Sequence, residues 1–333
     1  MKKNPSSKTI RVGVVGVGHM GRYHAGVYHE LPETELVAVA DVDDVRSRAI
    51  AEQYDTQSLR DYREMLGRVD AVSIAVPTAQ HYPVARDFLE AGTDVLVEKP
   101  VASSIEEAED LFRIARENGR TLQIGHVERF NGAVQELHKF VRDPLLIECR
   151  RMGPFQPRVQ EDGVILDLMI HDLDIVLSLV NSPVKTCYAV GTSVHSDRED
   201  IASVSLTFEN HCVAHLTASR ATQDKVRTLA VTQRETYIFL DYAEQNIQVH
   251  RRAASEHTLT QEQLRYRQEA FIERIFVHKD NPLKLEIRHL LRTASNGADP
   301  SRLKDAEKDL RSLRLAVEIL SQIHGESSPP RPS

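Results

Sequence analysis

Cysteine is scarce in this chain. Its three cysteines, Cys149, Cys187 and Cys212, lie far apart and form no CxxC pair. That excludes a disulfide framework and a zinc knuckle, and it suits a reducing cytosol. No apolar run approaches the roughly 20 residues that a membrane-spanning helix needs, and the opening MKKNPSSKT carries no apolar signal-peptide core. A cytoplasmic protein without a membrane partner is expected. The 15 histidines form neither HExxH nor a Cys/His cluster, so no metal is expected. An excess of positive charge is also missing. The formal charge is −7, whereas a nucleic-acid partner would call for a basic face. What remains, 41% hydrophobic and 27% charged residues, is a globular composition. At 333 residues the chain is too long for one ordinary core and fits two domains.

Short apolar runs at 10–15, 35–40, 71–76, 94–98 and 121–124 alternate with segments of helical pattern at 23–30, 44–53, 80–91 and 104–118. This rhythm predicts βαβ units and a parallel sheet covered on both faces. Ser103-Ser104-x-x-Glu107 reads as a capping box opening the last of these helices. Past residue 130 the rhythm changes. After a helical pattern at 131–142 come a strand at 145–151, an irregular stretch at 153–163 and a helix at 164–180. Strand-like runs then follow at 184–194, 201–208, 212–219, 227–232, 236–241 and 247–251 without intervening helices. The fold class expected is therefore α/β followed by α+β. A Rossmann-type, doubly wound parallel sheet occupies 1–126. A domain with a large, mostly antiparallel, open-faced sheet occupies 127–325. Residues 303–323 read as an amphipathic helix, and the Ser- and Pro-rich 326–333 as a disordered tail.

Gly16-Val17-Gly18-His19-Met20-Gly21 follows a strand and opens a helix, and Asp41 lies twenty residues beyond Gly21 at the end of the second strand. In this context the first glycine permits a tight turn, the second admits a pyrophosphate, and the third lets helix and strand approach. Phosphates would sit at the helix N-terminus, placing His19 and Met20 beside the ligand. Asp41 can accept ribose hydroxyls and would repel a 2′-phosphate, which favours NAD over NADP; Arg46 and Arg48 stand close enough to bend that choice.

A dinucleotide fold supplies a cofactor and not a reaction. Two segments could carry chemistry. Glu98-Lys99-Pro100 ends an apolar strand, where a lysine could face a developing alkoxide, or equally be a surface lysine before a proline-set loop. In the 164–180 helix, Asp167, His171, Asp174 and Ser178 share one stripe opposite Leu166, Met169, Ile170, Leu173, Leu177 and Val180. The stripe suits either a general base among carboxylates or a solvated face.

The glycine motif, Pro77-Thr78-Ala79-Gln80-His81, Glu98-Lys99-Pro100 and Asp167-x-x-x-His171 occur in an order and spacing that resembles the glucose–fructose oxidoreductase/inositol dehydrogenase (Gfo/Idh/MocA) family, over about residues 9 to 325. The resemblance implies a catalytic trio: His171 as base, Lys99 as alkoxide-stabilising cation and nicotinamide anchor, Asp167 as orienting partner. It also implies that Val76, Pro77, Thr78, His81 and Glu98 line the cofactor. Segments 125–131, 150–158 and 167–172 are similar to a narrower branch that oxidises the 3-hydroxyl of UDP-N-acetylglucosamine with NAD. That branch works with an aminotransferase on the way to lipid A. On this footing His126, Arg129, Arg151, Arg158 and Asp174 are candidate substrate contacts. Strand alternation sends Arg150 and Arg151 to opposite faces, so at most one of the two reaches a diphosphate. One departure stands out: many relatives carry a run of glycines before the Asp…His helix, and this chain has Glu161-Asp162-Gly163-Val164. A free-polyol or small-carbonyl dehydrogenase and a non-catalytic, cofactor-binding regulator are the competing expectations. The sheet's open face predicts self-association, and the resemblance implies a homodimer or homotetramer.

Overall fold

The alternation after Ile10 becomes a six-stranded parallel sheet. In a computed structural model, residues 9–156, 162–252, 256–259, 264–267, 270–295 and 303–325 are described. The first elements are β1 (Ile10–Val15), α1 (Gly21–Glu30), β2 (Thr34–Ala40), α2 (Asp44–Tyr54), β3 (Gln57–Leu59), β4 (Ala71–Ile74), α3 (His81–Glu90), β5 (Asp94–Val97), α4 (Ile105–Glu117) and β6 (Leu122–Ile124). The strand order is β3-β2-β1-β4-β5-β6. Every residue of β4 and β5 is buried, as a sheet covered on both faces requires. The register matters most for function. Val15 pairs with Ala40 and Ile74, and Ile74 pairs with Val97. The next residues along the chain, Gly16, Asp41, Ala75 and Glu98, therefore leave the sheet at one edge, where open α/β sheets bind ligands. The capping box forms: Ser104 accepts from the Glu107 amide, while the Glu107 carboxylate reaches back to the Ser103 N–H.

The second unit holds α5 (Gly132–Phe140), β7 (Leu146–Met152), a π-helical turn (Ile165–Met169), α6 (Ile170–Leu179), β8 (Val184–Thr192), β9 (Ile201–Phe208), β10 (Val213–Ser219), β11 (Val226–Thr232), β12 (Thr236–Asp241), β13 (Asn246–Arg252), β14 (Glu256–Leu259), β15 (Leu264–Arg267) and β16 (Ala270–Ile275). Its eight-stranded sheet runs β16-β13-β12-β11-β7-β10-β9-β8 and is antiparallel except where β7 lies beside β10. One face is apolar. Ile147, Cys149, Ala202, Val204 and Leu206 are buried with Leu137, Leu173 and Val176 of α5 and α6. The other face exposes Tyr188, Val190 and Tyr237. The polar/apolar alternation of these strands produces this two-sidedness. Among the described residues no helix is long and apolar enough to cross a membrane.

The domain boundaries differ from expectation. The compact units are Met1–Phe130 with Asn281–Leu313, and Asn131–Asp280 with Arg314–Ser333. The segment after residue 281 returns to the first unit because α7 (Pro282–Ser295) buries Leu283, Ile287, Leu290 and Leu291 against Val12, Val14 and Tyr28. The last helix is α8 (Leu303–Gly325), with its residues up to Leu313 grouped in the first unit and those from Arg314 in the second. The expected tail at 326–333 lies outside the described residues.

Glu286 sits on the buried face of α7 with no exposure, and neither carboxyl oxygen has a hydrogen-bond partner among the described residues. Burial pushes its pKa well above the usual 4.5. The Glu98 carboxylate adds to the rise, against an opposing pull from Arg129. A carboxyl that keeps its proton only when folded makes stability fall as pH rises above 4.5, by at most about 1.4 kcal/mol per pH unit. Glu286→Gln should flatten that fall. Urea unfolding at about pH 5.5 and about pH 8 tests it, and parallel slopes for the variant and wild type would refute the assignment.

Candidate active site

The three glycines divide their work. Gly16 has φ +81°, and a Cβ there would lie 2.6 Å from the Ala75 carbonyl oxygen. A Cβ on Gly21 would lie 1.7 Å from the Gly16 carbonyl oxygen, so only glycine lets α1 start against this turn. Around Gly18 a Cβ would meet nothing within 4 Å. The first and third glycines serve the chain's own packing, and the middle one leaves open space, as a bound pyrophosphate needs. Met20 precedes α1 with no side-chain cap on the helix, and His19 is exposed, edge-on to Tyr23. Asp41 is 8% exposed. Its two oxygens accept from Val17 N and Asp43 N at 2.9 Å each, and Arg46 Nη1 stands 3.4 Å away. These residues fit NAD.

After β4, Val76 and Thr78 are half-buried and Pro77 is exposed. His81 differs from expectation. It is 1% exposed, with Nδ1 2.7 Å from the Pro100 carbonyl and Nε2 2.8 Å from the Val76 carbonyl. It ties together the loops after β4 and β5 from behind and does not line the cofactor surface itself. Glu98 and Lys99 are half-buried at the end of β5. Glu98 Oε1 is 2.9 Å from His24 Nε2, His24 Nδ1 is 3.0 Å from Ser73 Oγ, and Ser73 Oγ is 2.9 Å from the Tyr28 hydroxyl. Burial pushes the Glu98 carboxyl up. The hydrogen bond and charge of His24, with Lys99 and His81, outweigh it and hold the carboxylate below its usual range. His24, Ser73 and Tyr28 were not legible as site residues, because only the strand register brings them to Glu98.

In the second unit, Asp167 lies in the π-helical turn and His171 in the first turn of α6, both half-buried. The uniform helix expected across 164–180 is thus interrupted, since a π turn takes an extra residue and rotates the helix beyond it. The solvated-face alternative does not hold. Asp172 and Asp174 are buried, and of the expected stripe only Ser178 is exposed. Arg150 and Arg151 do point oppositely, Arg150 exposed and Arg151 only 2% exposed. Arg151 spends its guanidinium on Asp172, with Nε–Oδ2 3.0 Å and Nη2–Oδ1 2.9 Å, above the Tyr242 ring at 4.8 Å. That corrects its assignment as a diphosphate ligand: a fork held by a buried carboxylate has no face to offer. In the first unit Arg129 pairs with Asp309, and His126 is 3% exposed. Arg158 lies outside the described residues.

Both units match one family. The model of the oxidoreductase family with an NAD-binding Rossmann fold matches residues 10–126, and that of the GFO/IDH/MocA C-terminal domain matches residues 125–238. The chain belongs to the Gfo/Idh/MocA oxidoreductases. It is similar to UDP-N-acetylglucosamine 3-dehydrogenase of Acidithiobacillus ferrooxidans, 35% identical over 246 residues that make up 74% of this chain and 78% of the relative. A solved structure of UDP-N-acetylglucosamine 3-dehydrogenase from that organism superposes with a TM-score of 0.83 at 30% identity, covering 95% of this chain and 98% of the other. Inositol 2-dehydrogenase of Rubrobacter xylanophilus is 33% identical over 195 residues, 56% of either chain. With relatives that are named dehydrogenases and an NAD-binding family model, the chain is an NAD-dependent dehydrogenase of CH–OH groups.

Removing Arg151 would strand the Asp172 charge in the core. Arg151→Ala should cost about 3–5 kcal/mol in chemical denaturation, and a loss under about 1 kcal/mol would contradict the buried pair. Asp41→Ala should weaken NAD binding and relax rejection of NADP, measured as the two dissociation constants. Wild-type protein that prefers NADP would overturn the role given to Asp41.

Proposed function

We propose that this dehydrogenase oxidises the 3-hydroxyl of UDP-N-acetylglucosamine to a ketone with NAD. The observation that carries the reading is the likeness to UDP-N-acetylglucosamine 3-dehydrogenase across both units, 95% of the chain at 30% identity. Bound NAD would supply the hydride acceptor. The residues that would hold it are Gly16, Gly18, His19, Met20, Gly21, Asp41, Val76, Pro77, Thr78, Glu98 and Lys99. His171 takes the proton of the sugar hydroxyl, Asp167 orients it, and the Lys99 ammonium steadies the oxygen as charge builds on it. His126, Arg129 and Asp174 remain substrate-side candidates. With Arg151 committed to Asp172, the diphosphate contact falls to Arg158.

A ketone beside an acetamido group is a natural substrate for an aminotransferase. We take such an enzyme as the pathway partner, in the line leading to lipid A. Three free cysteines fit a cytoplasmic setting. The apolar side chains on the open sheet face, Tyr188 and Val190 among them, support a homodimer or homotetramer.

His171→Ala should lower kcat by about 10²–10⁴-fold with NAD binding kept. Lys99→Ala should lower both rate and NAD affinity. Remote binding energy held by the nucleotide should appear in turnover, so free N-acetylglucosamine should be a very poor substrate beside its UDP form. The assay couples the ketone to an aminotransferase with glutamate, which draws off an unfavourable product. If no amino sugar forms while inositol reduces NAD readily, the substrate is a free polyol. A His171→Ala variant at wild-type rate would remove the base from the scheme.

A further inference from the structure

The segment that presents Asp167 and His171 begins at a glycine with no room for a side chain. A Cβ on Gly163 would lie 1.8 Å from Glu199 Oε1 and 2.3 Å from Oε2. The Glu199 carboxylate is buried, 2% exposed, in the space that side chain would take. Glu199 receives the first amides of the segment: its carbonyl oxygen accepts from Val164 N at 2.9 Å, and its Oε1 accepts from Ile165 N at 3.3 Å. The other carboxyl oxygen stands 3.5 Å from His324 Nε2, near the end of α8. Val164, which precedes the π turn, offers no side-chain cap of its own.

The next residue extends the grip. Asp200 is fully buried and accepts the amides of Val194, His195 and Ser196 together with Arg220 Nε at 2.5 Å. Those bonds outweigh its burial and hold its carboxyl below the usual carboxylate range. Arg220 Nη1 then donates to the Asp162 carbonyl at 2.8 Å, and its guanidinium lies 5.4 Å from the Phe155 ring centre. The loop into the helix is thus held at Asp162 by Arg220 and at Val164 and Ile165 by Glu199.

We propose that Glu199 is a positioning residue for the Asp167/His171 pair. Its buried carboxylate caps the π-helical turn through Ile165 N–H and the space left by Gly163, and so sets the rotation at which both side chains leave the helix. The first amides of a helix have no partner within it, and a fixed external acceptor decides where the first turn starts. A π turn adds a residue to one turn, so a slip in its start would rotate Asp167 and His171 away from the substrate. The proposal rests on the dehydrogenase reading of these two residues.

The test compares the full-length wild type with Glu199→Ala, Glu199→Gln, Gly163→Ala and the double variant Gly163→Ala/Glu199→Ala. Steady-state kinetics and thermal unfolding are measured in each, with His171→Ala as reference. Glu199→Ala should lower kcat by up to about 100-fold with the KM for NAD little changed, because misplacement by about 1 Å costs that much. Glu199→Gln should keep most of kcat, since an amide oxygen can still accept from Ile165 N–H. Gly163→Ala reaches the same contact from the other side and should lose both stability and kcat. Adding Glu199→Ala frees the space and should restore the melting temperature without restoring kcat. The proposal is overturned if Glu199→Ala keeps wild-type kcat while His171→Ala loses it, if Glu199→Gln falls as far as Glu199→Ala, or if the double variant regains kcat along with stability. If His171→Ala itself turns over like the wild type, the base role given to His171 falls and the proposal falls with it.

Discussion

The Arg151–Asp172 pair joins a central strand of the second sheet to the helix of the candidate base, and it does so in the core. Two charges at that depth hold together only while both bidentate contacts are made, so sliding or rotation of α6 along β7 would strand a charge away from water. Asp172 is the residue after His171, so the constraint acts one peptide from the candidate base. At the other end of the segment, Glu199 receives the opening amides. Asp167 and His171 therefore stand between two polar anchors, with apolar packing by Met169, Ile170 and Leu173 filling the interval. The apolar contacts supply burial without direction, while the ion pair and the cap supply direction.

The first unit solves the same problem with backbone. Its sheet register brings four loops to one edge, and buried side chains then fix the loops to one another. His81 bridges the Val76 and Pro100 carbonyls, while His24 spans from α1 to Glu98 and Ser73. Lys99 lies between two such fixed points, Glu98 and Pro100. The Glu98 carboxyl is held below its usual range, and that of the neighbouring Glu286 is pushed well above it. In one buried neighbourhood the two carboxyls are thus shifted in opposite directions, and the Glu98 charge adds to the rise at Glu286.

Much of this could be read from the residues. The spacing of Gly16-x-Gly18-x-x-Gly21 carries its meaning in the sequence, with Gly21 packing on its own turn and Gly16 also leaving room for the Ala75 carbonyl after β4. The capping box at Ser104 and the strand alternation of β9 are local in the same sense. Arg150 and Arg151 show where such reading stops. Alternation says that they face opposite ways, but which side is core depends on where α6 lands. His81 shows a related limit: a short motif places a residue near a site without saying that its ring bonds to the Val76 and Pro100 carbonyls. The π turn left no mark in the apolar pattern, because one extra residue in a short helix changes periodicity too little to detect. Gly163 is visible in the sequence as the one glycine just before the Asp167/His171 segment. Its cause, the carboxylate of Glu199, comes from the loop between β8 and β9, some way along the chain.

The return of α7 to the first unit also bears on how the protein is made. A ribosome delivers the parallel strands β1 to β6 first, yet the apolar surface around Val12, Val14 and Tyr28 waits for Leu283, Ile287 and Leu290. More than half of the chain must emerge before that surface is covered. The packing of the nucleotide-binding half is therefore completed only by a segment that follows the second sheet. Until then that surface is the kind of exposed apolar patch that makes a partly folded chain prone to aggregate.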